Sequence, residues 1–408
     1  MRTLARGPLL TLLLLAAAGL AGCGKGGSEQ ITGGGPTRQL APVAAQGAVS
    51  VATRNTTRLG GADAASDAAA VARAVYPGLT AATRPLVVVL VNERDWLPAL
   101  AASVLSSAPI GAPILYSEGD TLSAVTRQTL EAMHPLGAPA LGGAQVIRIG
   151  TSAAVPDNYL TRTVPVGLPT VSAAGIEQLA QTLDAAAPHQ VIVLPADAPP
   201  ALAMPAAGLA AESGAPILLV TRSRVPAQTG TVLDALHRPS IYVIDGAAIG
   251  NHTLGELRHF GSVKTITADS SPATGETAVQ SAIEIARYTN GSFGWGVKEP
   301  GHGLVFANSS RPLDGPASAL LSATGDYGPL LLLSRPAQVP PTLASYLSDI
   351  QPAYSTPQFP PVRGAYNHGW LIGDEAAISA VTQAEIDSVL EIRPQDRNTE
   401  EPSVSQVE

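Results

Sequence analysis

Short apolar runs recur along the chain, each bounded by Gly, Pro or Asn. The first set is Leu86–Val91, Gly111–Tyr116 and Val146–Gly150. A second set follows at Val191–Leu194, Gly214–Leu219 and Ile241–Gly246, and a third at Gly303–Phe306, Gly328–Leu333 and Trp370–Gly373. Runs this short and this rich in Val, Ile and Leu have the pattern of strands buried on both faces. Between them Ala and Leu recur at helical spacing. Ala-rich stretches come first in each set (99–108, 201–211 and 317–323), and amphipathic ones come second (Thr121–Met133, Ala227–Leu236 and Pro341–Ile350). A further helix is predicted ahead of each set, over Ala62–Val75, Ala173–Ala186 and Gly275–Tyr288.

The same order appears three times. Each set ends on Gly or Asp-Gly and then small residues: Ala153–Val155, Ala247–Ile249 and Ala376–Ile378. Each is therefore a β-α-β-α-β unit with a leading helix. Alternation of this kind predicts a parallel sheet covered on both faces, with right-handed crossovers. The fold class expected is α/β, built from three tandem small parallel-sheet units, each about 100 residues long and large enough to own a core. The expected division is 52–165, 166–268 and 269–392. A Pro-rich insertion, Thr356–Tyr366, interrupts the third unit, and residues 393–408 form a polar tail expected to be disordered.

The N-terminus departs from this pattern. Arg2 and Arg6 precede an uncharged apolar run, Leu9–Leu20, and small residues lead to Cys23. The run is shorter than the ~20 residues a spanning helix needs, and the order is that of a signal peptide. Leu20-Ala21-Gly22-Cys23 resembles the lipobox of bacterial lipoproteins. That resemblance implies cleavage after residue 22, a thioether-linked lipid on Cys23, and a place on the extracytoplasmic face of the cell membrane. Cys23 is the chain's only cysteine, so it has no internal disulfide partner. The Gly-rich stretch within 23–51 suits a flexible tether.

Composition narrows the partners. Charged residues are 14% of the chain and aromatics 4%, so the core must be built from small and aliphatic side chains. The net charge of −8 becomes more negative once Arg2 and Arg6 leave with the leader. A field of that sign argues against nucleic acid, and an anionic ligand must be held by local arginines.

With the repeats in place, the chain resembles the cell-wall-binding repeat type 2 family. Thr57-Arg-Leu-Gly-Gly-Ala-Asp63 is similar to that family's opening motif, Gly214-Ala-Pro-Ile-Leu-Leu219 to a second signature, and the late Ile-Gly elements to a third. The resemblance implies three α/β units around a pseudo-threefold axis and noncovalent binding of an anionic cell-wall polysaccharide or teichoic-acid-like polymer. It implies that the Ile-Leu-Leu element and arginines near unit interfaces matter for that binding. By position these are Ile217, Leu218 and Leu219, matched by Ile114-Leu115-Tyr116 and Leu330-Leu331-Leu332 in the other units. Arg58 matches the opening motif, in the first unit only. The family's Asp-Ala-Leu is replaced by Pro98-Ala-Leu100 and Pro200-Ala-Leu202, and only Asp314 keeps the acid.

The side chains' own chemistry adds candidates. Arg127, Arg222, Arg224, Arg311 and Arg335 flank strand ends, and the planar guanidinium suits phosphate and carboxylate. Open parallel sheets bind ligands beyond their carboxyl ends. Arg222, Arg224 and Arg335, which follow the Ile-Leu-Leu strand and its counterpart, are the expected anion contacts. Gly150-Thr-Ser-Ala-Ala154 lacks the last glycine of a nucleophile elbow, so Ser152 is not expected to be catalytic. His252, Glu256 and His259 share a helical face, but their spacing is not that of a zinc helix. Asp63 and Asp67 lie in a first helical turn, where acids complement the helix dipole. No phosphate loop, dinucleotide fingerprint or paired-cysteine metal site is present, and neither cofactor nor metal is expected.

These readings converge on a membrane-anchored, non-catalytic envelope lipoprotein that binds anionic wall polymer through three repeats. Two alternatives carry different signatures. A solute-binding lipoprotein would have an inter-domain cleft, and an envelope enzyme with an unrecognised site would have a deep pocket lined by acids or histidines.

Overall fold

The computed structural model describes residues 49–156, 158–165, 167–266, 275–323, 328–354 and 366–394. The expected leader, Cys23 and nearly all of the expected tether lie outside them, as do most of the Pro-rich insertion and residues 395–408. Among the described residues no helix is long and apolar enough to cross a membrane.

The chain begins with a hairpin, β1 (Val49–Ala52) and β2 (Thr56–Gly60), then α1 (Ala64–Val75). The first unit follows as β3 (Val88–Asn92), α2 (Trp96–Ala102), β4 (Ile114–Ser117), α3 (Ala124–Met133), β5 (Val146–Ile149) and β6 (Thr161–Val164). Helix α4 (Pro169–Asp184) leads into β7 (Gln190–Pro195), α5 (Pro200–Ala203), α6 (Pro205–Ser213), β8 (Ile217–Val220), α7 (Ala227–Ala235), β9 (Ser240–Val243), α8 (Asn251–Phe260) and β10 (Ser262–Thr265). Helix α9 (Gly275–Arg287) leads into β11 (Gly303–Asn308), α10 (Asp314–Ala323), β12 (Leu330–Leu333), α11 (Pro341–Asp349), β13 (Ala353–Tyr354), β14 (His368–Ile372), α12 (Ala380–Leu390) and β15 (Arg393–Pro394). The expected β-α-β-α-β order is present in all three units.

Each unit holds a small parallel sheet with one strand order. The sheets run β6-β5-β3-β4, β10-β9-β7-β8 and β2-β14-β11-β12. The third sheet corrects the sequence reading. Thr56–Gly60 was expected to open the first unit, but it pairs parallel to β14, with Trp370 opposite Thr57 and Leu371 opposite Arg58. The N-terminal strand thus fills in the third sheet the edge place that β6 and β10 fill in the others. Strand β1 then covers that edge, antiparallel to β2. Arg393 and Pro394, expected in the tail, pair with Ala353 and Tyr354 instead.

Strand and following helix belong to different units. Helix α1 leaves the third sheet and packs on β4 of the first; α4 leaves the first and packs on β8; α9 follows the second sheet and packs on β12. The three units therefore form a ring. In its middle α2 with the Ser103–Ser106 turn, α6 and α10 each meet the other two, a threefold arrangement. The Ala-rich sequence explains this, since small side chains let helix backbones approach. A Cβ on Gly315 would lie 2.9 Å from the Cβ and 3.0 Å from the carbonyl of Met204. The second and third units do own buried clusters, around Val191–Leu257 and Ala278–Leu390, but the core of the first unit is shared. One buried cluster runs from Val87–Val91 and Ile147 through Ile192, Ala206–Ala207 and Ile217 to Ala317 and Ala319, across all three units.

Candidate functional site

The carboxyl ends of the strands carry the candidate contacts. After the second strand of each unit the chain makes an equivalent four-residue turn. Glu118 bridges Thr121, the Thr221 amide donates to the Arg224 carbonyl at 3.1 Å, and Arg335 bridges Gln338. Arg222, Arg224 and Arg335 are all exposed on these turns. Their guanidinium groups have no hydrogen-bond or ion-pair partner among the described residues, and no bond joins the turns to one another. The turn of the first unit carries Glu118 and Asp120 instead. These turns thus differ in sign: basic on the second and third units, acidic on the first.

The other expected contacts lie inside the protein. Ile217 and Leu219 face the central cluster and Leu218 the outer face of the same sheet, and none is more than 1% exposed. They are strand core, as the period-two alternation of a doubly covered strand requires, so the direct polymer contact implied by the resemblance is not open to them. Arg58 is only 3% exposed. Its Nε donates to Gln383 at 3.0 Å, Nη1 to the carbonyls of Gly373 (3.0 Å) and Asp374 (2.7 Å), and Nη2 to that of Ile378 (2.6 Å). Arg58 therefore staples β2 to the turn beyond β14 rather than presenting a charge to a ligand.

A second arginine does lie at a unit interface. Arg311, in the loop between β11 and α10, donates through Nε to Asp314 at 2.9 Å and pairs through Nη2 with Asp67 of α1. Asp67 also accepts the amide of Gly61 at 2.7 Å. Two positive-φ glycines admit this approach: a Cβ on Gly60 would collide with the Asp67 carboxyl, and Gly373 lies beneath the Arg311 guanidinium. Burial pushes both carboxyl groups above the usual range; for Asp314 the Asp67 charge adds to it, and for Asp67 the Arg311 charge opposes it. Sequence reasoning missed this cluster because Asp67 and Arg311 are 244 residues apart. Asp67 read as a helix-dipole acid, which explains its place in the first turn but not its burial.

The motifs weighed for catalysis are placed as follows. The Ser152 hydroxyl donates to Asp120. His252 pairs with Glu256 at 3.2 Å along α8, and His252 and His259 are both exposed. Asp63 caps α1 by accepting the Ser66 amide at 2.8 Å. Among the described residues no group of three or more His, Cys, Asp or Glu is placed to hold a metal. A hollow of about 190 Å³ lies at the opposite, amino ends of β7 and β8, lined by Glu177, Asp184, His189 and Glu212. Its acidic wall does not suit an anion.

The ring has counterparts among solved structures. It shares its fold with Cwp6 and Cwp8 from Clostridium difficile. Cwp6 superposes with a TM-score of 0.61 at 18% sequence identity, over 84% of this chain and 51% of Cwp6. Cwp8 gives 0.58 at 15%, over 82% of this chain and 51% of Cwp8. The chain thus spans about half the length of Cwp6 and of Cwp8. No family model matches the sequence, and no curated protein matches it.

Proposed function

We propose that this chain is a lipid-anchored, non-catalytic envelope protein whose ring of three units binds an anionic cell-wall polymer. The observation that carries the reading is the set of unpartnered, exposed guanidinium groups at Arg222, Arg224 and Arg335, on equivalent turns at the carboxyl ends of two sheets. Two features support it: the fold shared with Cwp6 and Cwp8, and the lipobox-like Leu20–Cys23, which would hold the ring near the membrane. Arg58 and Ile217–Leu219 serve the scaffold in this reading and drop out of the contact set. Each exposed arginine adds a weak, salt-sensitive contact. A polymer that reaches both turns gains from the high effective concentration of its second segment.

The test is retention of the folded chain on purified anionic wall polysaccharide over a salt series. Retention is expected at low salt and lost as salt rises. The triple substitution Arg222→Ala, Arg224→Ala and Arg335→Ala should weaken binding at least tenfold with an unchanged melting temperature. Absence of retention by the unaltered chain at low salt would overturn the proposal.

A further inference from the structure

The ring is closed without a covalent link at one place. Strand β2 enters the third sheet beside β14, far from it in sequence, and α1 then carries the chain to the first unit. The Asp67–Arg311–Asp314 cluster sits on this closure. Arg311 and Asp314 belong to the third unit, whereas Asp67 belongs to the helix that leaves it. Arg311 also donates to the Ala62 carbonyl at 3.3 Å, at the corner between β2 and α1. The other two crossings carry Ser172 and Thr277 at the matching place in their leading helices, so this crossing alone has a carboxyl there.

The charges in the cluster do not balance. Two carboxyl groups, Asp67 at 0% and Asp314 at 1% side-chain exposure, face one guanidinium. Asp314 Oδ1 is buried with no donor to accept from, although the Asp67 carboxyl is within hydrogen-bonding reach. Two carboxylate oxygens facing each other in a dry site repel unless a proton lies between them. That proton supplies the missing donor, and one Arg311 then balances the one remaining negative charge. Three further charges lie on the elements packed against the cluster: Asp374, whose carboxylate accepts the Ala376 and Ala377 amides, the exposed Glu375 beside it, and Asp63, which caps α1. Helix α2 (Trp96–Ala102), the Ser103–Ser106 turn and α6 between Pro205 and Ala211 contain no ionisable side chain, and β4 brings Tyr116, whose hydroxyl donates to the Leu313 carbonyl at 2.7 Å.

We propose that the Asp67–Arg311–Asp314 cluster is a proton-dependent latch on the closure of the ring. With one proton shared by the two acids, α1 is held to the third unit; with the proton gone, a net negative charge is buried at the corner and the β2–β14 join loosens. The sign follows from linkage. The folded chain holds this proton at pH values where unfolded aspartates, with an ordinary pKa of about 3.9, have released theirs. The stabilisation is therefore complete below that value and is lost as pH rises through the raised folded value.

Hydrogen exchange tests this at the Gly373 amide, which donates to the Leu59 carbonyl at 3.0 Å across the join. As pH rises out of the ordinary aspartate range and through the raised folded value, its protection, corrected for the intrinsic rate, should fall at least tenfold. In Asp314→Asn the amide group supplies a permanent donor, so protection should not change over that range. A flat profile in the unaltered protein, or the same slope in Asp314→Asn, overturns the latch. Should Asp314→Asn fail to fold, carboxyl-carbon NMR of the aspartate-labelled unaltered chain decides. An aspartate titrating well above its ordinary range supports the proposal, and all aspartates titrating within it overturn it.

Discussion

Two arginines show how differently one side chain can be used. Arg58 spends four donors on Gln383 and three carbonyls inside the protein, and Arg222 spends none. Hydrogen bonds to a charged group contribute about 1.5–3 kcal/mol each, and the contributions do not add fully. Arg58→Ala should therefore destabilise the chain by at least about 3 kcal/mol in urea unfolding. Arg58→Lys should not restore it, because a compact ammonium cannot reach four acceptors arranged around a planar fork. Leu218→Ala is expected to lose about 2–5 kcal/mol through the cavity it leaves, while polymer retention by the folded fraction stays unchanged; a selective loss of retention would return Leu218 to the contact set. The sequence showed that Leu218 lies on a strand and that arginines flank the sheet ends. It did not show which arginines face inward, because that depends on Gln383 and Ile378, more than 300 residues from Arg58.

At the level of elements, the runs of Val, Ile and Leu marked nine strands that the structure contains, since strands covered on both faces must be continuously apolar. Strands β6 and β10 escaped notice for the opposite reason. Thr161-Arg-Thr-Val164 and Ser262-Val-Lys-Thr265 are edge strands with partly or fully exposed residues, and they carry no apolar run. Their charged residues also suit an edge, where Arg or Lys discourages pairing with another chain. The Ala-rich helices were legible as helices, but the reason for their composition appears only at the middle of the ring. Gly315→Val should be destabilising by about 1–3 kcal/mol, the range for overpacking a close contact, measured by chemical denaturation. Its neighbour across the seam is partly backbone, which cannot swing aside. A neutral result would mean that α6 and α10 can separate without loss.

For the whole molecule, the threefold repetition was legible and the closure was not. Strand β2 has the same local pattern whichever sheet it joins, and its partner β14 is specified by tertiary packing alone. Residues up to 51 were expected to be leader and flexible tether, and strand β1 begins within them, at Val49. Removing residues 1–60 takes away β1, β2 and Arg58 and bares the edge of β14. An exposed, mostly apolar strand edge is a template for aggregation, so this truncation should scatter light and fail to give a single melting transition. Removal of residues 1–44 should leave both unaffected. The closure also sets a timetable. Residues pairing across β2 and β14 are more than 300 positions apart, and a ribosome adding about 5–20 residues per second takes roughly 15–60 seconds to cover that distance. The first strand of the ring is thus made early and completed late, and for that interval the newborn chain carries an unmatched edge that only β14, made about 300 residues later, can cover.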